Sequence, residues 1–351
     1  MISEILKRSF LSLIGLIYLA MGAFAQENNL SILLTDYTFS AGKSEIALIK
    51  LNHPEVTIKK IILKGEDAKA FQLAKNNQLI LLKKYNNSEV KWYNLVIEAE
   101  TSAGKLTGDF RIVNDQFIKN KVIAHRGAWK NTGVTENSIA SLKHAINLGC
   151  MGSEFDVHMS SDSVPFIHHD PNLNSVFIEK TSAAELSQMK LSNGENLPTL
   201  VEYLQEGTSQ NKTKLILEIK SSIISKERGI ALTRIVADLV KKHKAQAWVE
   251  YISFDYDICK ELLRLDPYAK VAYLNGDKSP EELASDKMYG LDYNFKTLQK
   301  KEEWIKEAQH KNLSVNVWTV NDGQVMDWFL ERNVDFITTN EPELLLEKVK
   351  K

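Results

Sequence analysis

The sequence predicts a TIM-type (β/α)8 barrel preceded by a small all-β sandwich, with a cleavable export signal in front of both. Three observations predict it. After Asn114, short strand-like runs alternate with helical segments; before it, apolar residues alternate with period two between turn-forming stretches; and in the second part charged clusters fall at the ends of apolar runs. A chain of 351 residues accommodates a barrel plus an accessory module, and 44% hydrophobic with 25% charged residues fits a well-cored globular protein. A net charge of −1 gives no electrostatic reason to expect nucleic acid as a partner.

Residues 1–25 read as a signal peptide. Lys7 and Arg8 form a basic start, Ser9 to Ala20 is apolar and uncharged, and Ala23-Phe24-Ala25 supplies small residues for cleavage before Gln26. The uncharged stretch is at the short limit for a spanning helix, so the expectation is a periplasmic or extracellular protein with no stable membrane span after cleavage. Cys150 and Cys259 are the two cysteines; no disulfide framework follows, and buried free thiols are expected.

Residues 26–116 read as the sandwich. Phe71-x-Leu73, Leu79-x-Leu81 and Tyr93-x-Leu95-x-Ile97-x-Ala99 alternate, separated by Lys75-Asn76-Asn77 and Tyr85-Asn86-Asn87-Ser88. The run from Gly65 to Gly104 resembles a cadherin-like or immunoglobulin-like module without clear acidic calcium-binding motifs. Such a module suits contact with a surface or a glycan.

Residues 117–351 read as the barrel. Candidate strands are Val122–Ala124, Ser153–Val157, Val164–His168, Lys214–Ile219, Val249–Ser253, Lys270–Leu274, Gly290–Tyr293, Ser314–Val320 and Asp335–Thr338. That is one more than a barrel needs, and Val164–His168 or Gly290–Tyr293 is the odd one out. Helical spacing occupies Ser138 to Leu148 and recurs between most of the later strands, as in Ile230–His243.

In such barrels the chemistry sits at the C-terminal ends of the strands. Here those ends carry His125-Arg126-Gly127, Glu154-x-Asp156, His168-His169-Asp170, Glu218-x-Lys220 and Trp318-Thr319-Val320-Asn321. Two residues apart on a strand, Glu154 and Asp156 share a side, as do Glu218 and Lys220. Three carboxylates at one mouth repel unless a cation lies between them, and an all-oxygen set suits Mg²⁺ or Ca²⁺. His125 and His169 flanking that cation suit an acid–base pair; Arg126 and Lys220 suit an anionic substrate such as a phosphate. Adjacent His168 and His169 face opposite ways, so one of the two reaches the site. His53, His144, His158, His243 and His310 read as structural or surface residues.

Taken in order, His125-Arg126-Gly127, Glu136-Asn137, Glu154-x-Asp156, His169-Asp170, Leu197-Pro198-Thr199-Leu200, Leu217-Glu218-Ile219-Lys220, Ser253-Phe254-Asp255, Trp318-Thr319-Val320-Asn321 and Asp335-Phe336-Ile337-Thr338-Thr339-Asn340-x-Pro342 resemble the glycerophosphodiester phosphodiesterase family. The resemblance implies one divalent metal held by Glu154, Asp156 and Glu218, with His125 and His169 as acid and base. It further implies phosphate binding by Arg126 and Lys220, a pocket lined by Trp318, and a supporting role for Glu136. The sequence departs from the family at Thr135, where a proline is usual, at Ser163, where a glycine is usual, and over Pro171 to Phe177, which replaces a Thr- and Gly-rich stretch. The expected activity is metal-dependent hydrolysis of a small-molecule glycerophosphodiester. The alternatives are a phospholipase D-like enzyme acting on another phosphodiester and a non-catalytic cell-surface binding protein.

Overall fold

The computed structural model of the chain describes residues 30–350. The expected signal peptide lies outside the described residues. Among the described residues no helix is long and apolar enough to cross a membrane.

The N-terminal part forms two four-stranded sheets. In chain order the strands are β1 (Ile32–Leu34), β2 (Thr38–Phe39), β3 (Glu45–Leu51), β4 (Ile58–Lys64), β5 (Phe71–Ala74), β6 (Gln78–Leu81), β7 (Trp92–Thr101) and β8 (Gly104–Asn114). One sheet runs β1-β3-β6-β5 and the other β2-β8-β7-β4. The period-two residues Leu79, Leu81, Tyr93, Leu95, Ile97 and Ala99 are buried in one apolar cluster fed by both sheets.

From Val122 the chain closes a TIM barrel. Its strands are β9 (Val122–Ala124), β10 (Gly152–Met159), β14 (Lys214–Ile219), β15 (Val249–Ser253), β16 (Val271–Tyr273), β17 (Gly290–Asn294), β18 (Ser314–Trp318) and β19 (Phe336–Thr339). They pair in parallel in that order, and β9 closes the ring against β10 and β19. Gly290–Asn294 is thus a barrel strand. The surplus one is β11 (Pro165–Ile167), which folds back antiparallel on the far end of β10, pairing His158 with Phe166. Past it lies a small hairpin of β12 (Asn172–Leu173) and β13 (Val176–Phe177). Its turn residues Asn174 and Ser175 both have positive φ, at 51° and 69°, as a two-residue type I′ loop requires. The departure at Pro171 to Phe177 is therefore an ordered hairpin. Ser163 occupies its turn left-handed, φ 72°, where a glycine would sit without steric cost.

The floor of the barrel is a small apolar cluster of Ile123, Ile216, Ile252, Ala272 and Leu274, with Met151, Trp318 and Phe336 against it. Both thiols are buried and free, as expected. The two sheets dock on the end of the barrel where the strands begin. Trp248, just before β15 and fully buried, meets Trp92 and Phe117 edge-on at 6.2 Å each. The Arg111 guanidinium lies over Trp92 at 4.8 Å. Asn211 Nδ2 donates to the Asn114 carbonyl at 3.0 Å, and Lys244 pairs with Asp109 at 2.7 Å. Among the described residues the sheets leave the mouth at the opposite end clear.

Candidate active site

Strand register assembles the carboxylates. Glu154 pairs across to Ile216 of the apolar floor and Asp156 to Glu218, so Glu154 stands level with that floor residue and Asp156 and Glu218 share the next layer toward the mouth. One oxygen from each of Glu154, Asp156 and Glu218 lies within 4.8 Å of the others, all three buried. Glu154 and Asp156 sit within β10, which runs on to Met159 instead of ending at Asp156.

The remaining groups close around this cluster. Past β9 the chain turns sharply, with Arg126 at φ 56° and Gly127 at φ 78°. A Cβ on Gly127 would meet Ser141 Oγ at 2.3 Å and its carbonyl carbon at 2.7 Å, so glycine alone fits there. The turn aims the Arg126 N–H at Glu154 Oε2, 2.8 Å away, while its guanidinium donates to Glu136 Oε1 at 2.8 Å. Arg126 Nε, 3.8 Å from Asp156 Oδ2, has no hydrogen-bond partner among the described residues. Asn137, left-handed and buried, donates to Asp156 Oδ2 at 2.8 Å and accepts from the Asp156 N–H at 3.2 Å. Thr135, in place of a proline, pairs its hydroxyl with Ser192 at 2.6 Å and accepts from the Asn193 N–H, tying this loop to the one opposite.

His125 Nδ1 lies 2.7 Å from Asn340 Oδ1 and its Nε2 4.0 Å from Glu154 Oε2. Asn340 is itself fixed, its N–H donating to Asn321 Oδ1 at 2.8 Å. His169 follows β11 in a bend, off the strand, with Nδ1 2.8 Å from Asp170 Oδ1. Its carbonyl meets His158 Nε2 at 3.0 Å, so His158, buried under the site, seats His169. His168 turns to the Asp170 carbonyl instead. The Lys220 ammonium rests on Asp156 Oδ1 at 3.1 Å and Glu218 Oε1 at 2.8 Å. Trp318 packs on the floor cluster, donates from Nε1 to the Asp292 carbonyl at 2.9 Å and meets Phe254 edge-on at 5.4 Å.

Burial governs the electrostatics. It raises Glu154 well above the usual carboxylate range, with Asp156 and Glu218 adding to the rise. Glu218 is pushed up to about 7 by burial and by Asp156, against the pull of Lys220. Burial also works to raise Asp156, but Lys220, His169, Asn137 and Arg126 together hold it down at about 2. Lys220, for its part, rises to about 12, since Asp156 and Glu218 outweigh its burial. Burial and then Arg126 push His125 down to about 4, and burial lowers His169. Asp292, buried below the mouth with Oδ1 unpartnered among the described residues, is raised to about 8 by burial.

A pocket of about 260 Å³ opens beside the histidines, lined by Glu136, Asn137, His169, Asp170, Leu173 and Asn174 among others. A larger cavity, about 880 Å³, lies at the closed end between sheets and barrel, lined by Tyr37, Phe117, Lys214, Tyr251 and Lys270 among others. That is the end of a barrel where residues serve stability, and the carboxylate cluster decides for the smaller one.

The model of the glycerophosphoryl diester phosphodiesterase family matches residues 125–344, spanning every group just described from His125 to Asn340. The chain belongs to that family. It is a phosphodiesterase, a hydrolase of glycerophosphodiesters. A crystal structure of a glycerophosphodiester phosphodiesterase from Parabacteroides distasonis is 42% identical to the phosphodiesterase, at a TM-score of 0.64 over 66% of this chain and 96% of that one. A glycerophosphodiester phosphodiesterase from Caldanaerobacter subterraneus is 29% identical over 67% of this chain and 99% of its own length. An Oleispira antarctica phosphodiesterase, solved with the product sn-glycerol-3-phosphate, is 26% identical at a TM-score of 0.56, covering 66% of this chain and 97% of its own.

Sequence reasoning places His125, Arg126, Glu136, Glu154, Asp156, His169, Glu218, Lys220 and Trp318 at this mouth, and the structure brings all of them there. It missed the parts played by Asn137, Asn340, Asp170 and Asn321, which stand inside the quoted motifs as polar residues without a stated task. His158, read as a structural or surface residue, is a buried one that seats His169, a part the sequence reading did not give it, and Asp292 was missed altogether. His158 is one alternate position beyond Asp156 on the same strand face, a signal that was available; Asp292 lies in an otherwise apolar strand and gave none.

Proposed function

We propose that the phosphodiesterase hydrolyses glycerophosphodiesters to glycerol phosphate and an alcohol, using one divalent cation, Mg²⁺ or Ca²⁺, and two histidines. The observation that carries this is the buried convergence of Glu154, Asp156 and Glu218 between His125 and His169. These residues fit a hard cation. Their donors are all oxygen, Lys220 touches two of the three carboxylates, and Glu154 Oε1 is buried with no hydrogen-bond partner among the described residues. When bound, such a cation offsets charge on the phosphoryl oxygens and lowers the pKa of a coordinated hydroxyl or water.

The chain's own groups do the rest. Arg126 turns an unpartnered Nε toward the cluster and, with Lys220, draws the phosphate into it. Trp318 walls the pocket, and Glu136 holds the Arg126 guanidinium in place. With Asn340 Oδ1 accepting, His125 carries its proton on Nδ1 and presents a bare Nε2. Held down at about 4 it is neutral at physiological pH, which suits the base that deprotonates water or a glycerol hydroxyl. Burial lowers His169, but the Asp156 and Asp170 carboxylates pull the other way, and it suits the acid that protonates the leaving alkoxide.

Around this core we read residues 1–25 as an export signal, residues 26–116 as a cadherin- or immunoglobulin-like sandwich serving as an accessory module, and residues 117–351 as the catalytic barrel. Release of glycerol 3-phosphate from glycerophosphocholine, with and without EDTA, tests the activity and its metal. His125→Ala and His169→Ala each lose on the order of 10²–10⁴ in kcat while still binding metal. An activated leaving group such as p-nitrophenol rescues His169→Ala and not His125→Ala. Rescue of the other variant reverses the assignment, and near-normal rates in both refute it.

A further inference from the structure

The cavity of about 880 Å³ at the closed end of the barrel plays no part in the chemistry at the mouth. Protein interiors are close-packed and rarely leave a void larger than a water, whereas this volume is that of a small-molecule pocket. Both modules wall it. The sheets contribute Ile32, Leu33 and Tyr37, the barrel contributes Tyr251 and Leu262, and the segment joining them contributes Phe117. All six are buried side chains.

One charge in this lining is left without a counter-charge. Lys214, the first residue of β14, donates its ammonium to the Ala247 carbonyl and lies over the Phe117 ring, 3.7 Å from its centroid. Among the described residues it forms no ion pair, and its remaining N–H bonds have no acceptor. The neighbouring cations are provided for. Lys119 lies 3.3 Å from Asp115 and Lys270 2.9 Å from Glu250, while Arg234 and Arg264 meet Glu261 at 2.6 and 2.7 Å. Lys241, on the helix Lys226–Lys242, has Asp238 and Asp266 to attract it. The contrast shows in the two lysines of the barrel floor. Burial pulls Lys214 down to about 8, whereas in Lys270 the pull of burial is outweighed by Glu250 and the pKa rises.

We infer that this cavity is a second ligand site, taking a small organic monocarboxylate whose carboxylate meets the Lys214 ammonium and whose apolar body lies among Tyr37, Phe117 and Tyr251. A buried cation next to open space is most stabilised by an anion that also fills the space. The ligand carries a single charge, because Lys214 is one cation and Asp36, Asp238 and Asp266 in the same lining repel a second negative charge. Its body is apolar because the walls are. With walls drawn from both modules, such a ligand ties the sheets to the barrel, so its binding registers as stability of the whole chain. The site shares no residue with the mouth, and its failure leaves the hydrolase reading untouched.

The test is calorimetric titration of the enzyme at pH 7, where Lys214 is protonated, with octanoate and with 3-phenylpropanoate. The two put an alkyl and an aryl body on the same head group. The expected result is one molecule bound per chain for at least one of them, with a melting temperature that climbs with its concentration. Octanol has the alkyl body without the charge and should bind roughly 10- to 100-fold more weakly than octanoate, the range of a hydrogen bond to a charged group. Octyltrimethylammonium should not bind. Saturating glycerol 3-phosphate should leave octanoate binding unchanged, which separates this cavity from the mouth. Lys214→Met keeps the bulk of the side chain and loses the charge; it should weaken the carboxylates by the same factor and leave glycerophosphocholine turnover as it was, while Lys214→Arg retains binding. Should Lys214→Met fail to fold, the head-group series and the glycerol 3-phosphate competition on the unaltered enzyme decide alone. No binding of either carboxylate at millimolar concentration overturns the inference. So does octanol binding as tightly as octanoate, which marks a merely apolar crevice, displacement by glycerol 3-phosphate, or a folded Lys214→Met that binds as the unaltered enzyme does.

Discussion

The proposed metal site makes a prediction about protons. Three buried carboxylates beside one lysine do not stay ionised together, and Glu218 is held up at about 7 with Glu154 raised as well. A cation binds the ionised forms, so below pH 7 its binding expels a proton from Glu218, and each pH unit weakens the apparent affinity about tenfold. From pH 8 to pH 5 the loss is therefore about 100-fold for that proton alone, and larger as Glu154 joins in. Asp156, at about 2, adds nothing in this range. Calorimetric titration of the EDTA-stripped enzyme with Mg²⁺ or Ca²⁺, in two buffers of different ionisation enthalpy, reads both affinity and proton count. Metal-free melting is the wrong readout, because two groups oppose each other. Glu218 stabilises the metal-free fold at low pH and loses that contribution as pH rises from 4.5 through 7, while His125, lowered from 6.5 to about 4, gains with pH over nearly the same span. An affinity that stays constant from pH 5 to 8, with no proton released at pH 6, refutes the reasoning; so does a Glu218→Gln variant that binds metal normally.

Asn137→Ala frees Asp156 from both of its amide bonds and is expected to weaken metal binding by roughly 10- to 100-fold with little change in melting temperature, measured by the same titration. Gly127→Ala forces a Cβ into Ser141 and a side chain onto a left-handed residue, and is expected to cost about 2 kcal/mol or more in chemical denaturation together with most of the activity. A chain of residues 117–351 is expected to keep its turnover of glycerophosphocholine, since every proposed catalytic group lies beyond its start. It also strips Trp248 of Trp92 and Arg111, and should melt roughly 5–10 °C lower; an unchanged melting temperature would show the docking of the sheets to be energetically idle.

The barrel was legible because its strands read as short apolar runs, and the mouth because polar residues break those runs at their ends. Parity on one strand was enough to place Glu154 with Asp156, and Glu218 with Lys220. At His169 something other than parity sets the direction, because the expected strand Val164–His168 is the antiparallel β11 and the histidine lies beyond it in a bend seated by His158. Periodicity could not tell a three-residue return strand from a barrel strand, because both are buried on both faces. The amide supports were hidden for another reason. Asn137 and Asn340 act across 19 and 215 residues of sequence, so their partners exist only once the ring has closed. The docking of the sheets was equally invisible, since Trp248 reads as one more apolar residue before a strand.

The two sheets sit behind the barrel and leave its mouth facing the other way. A surface gripped by the sheets would then lie at the enzyme's back, with the mouth held off from it by at least the height of the barrel, roughly 20 Å for strands of about six residues. Lipids still packed in that surface would be out of reach. An enzyme held by that end would meet the diesters that diffuse to its mouth from solution.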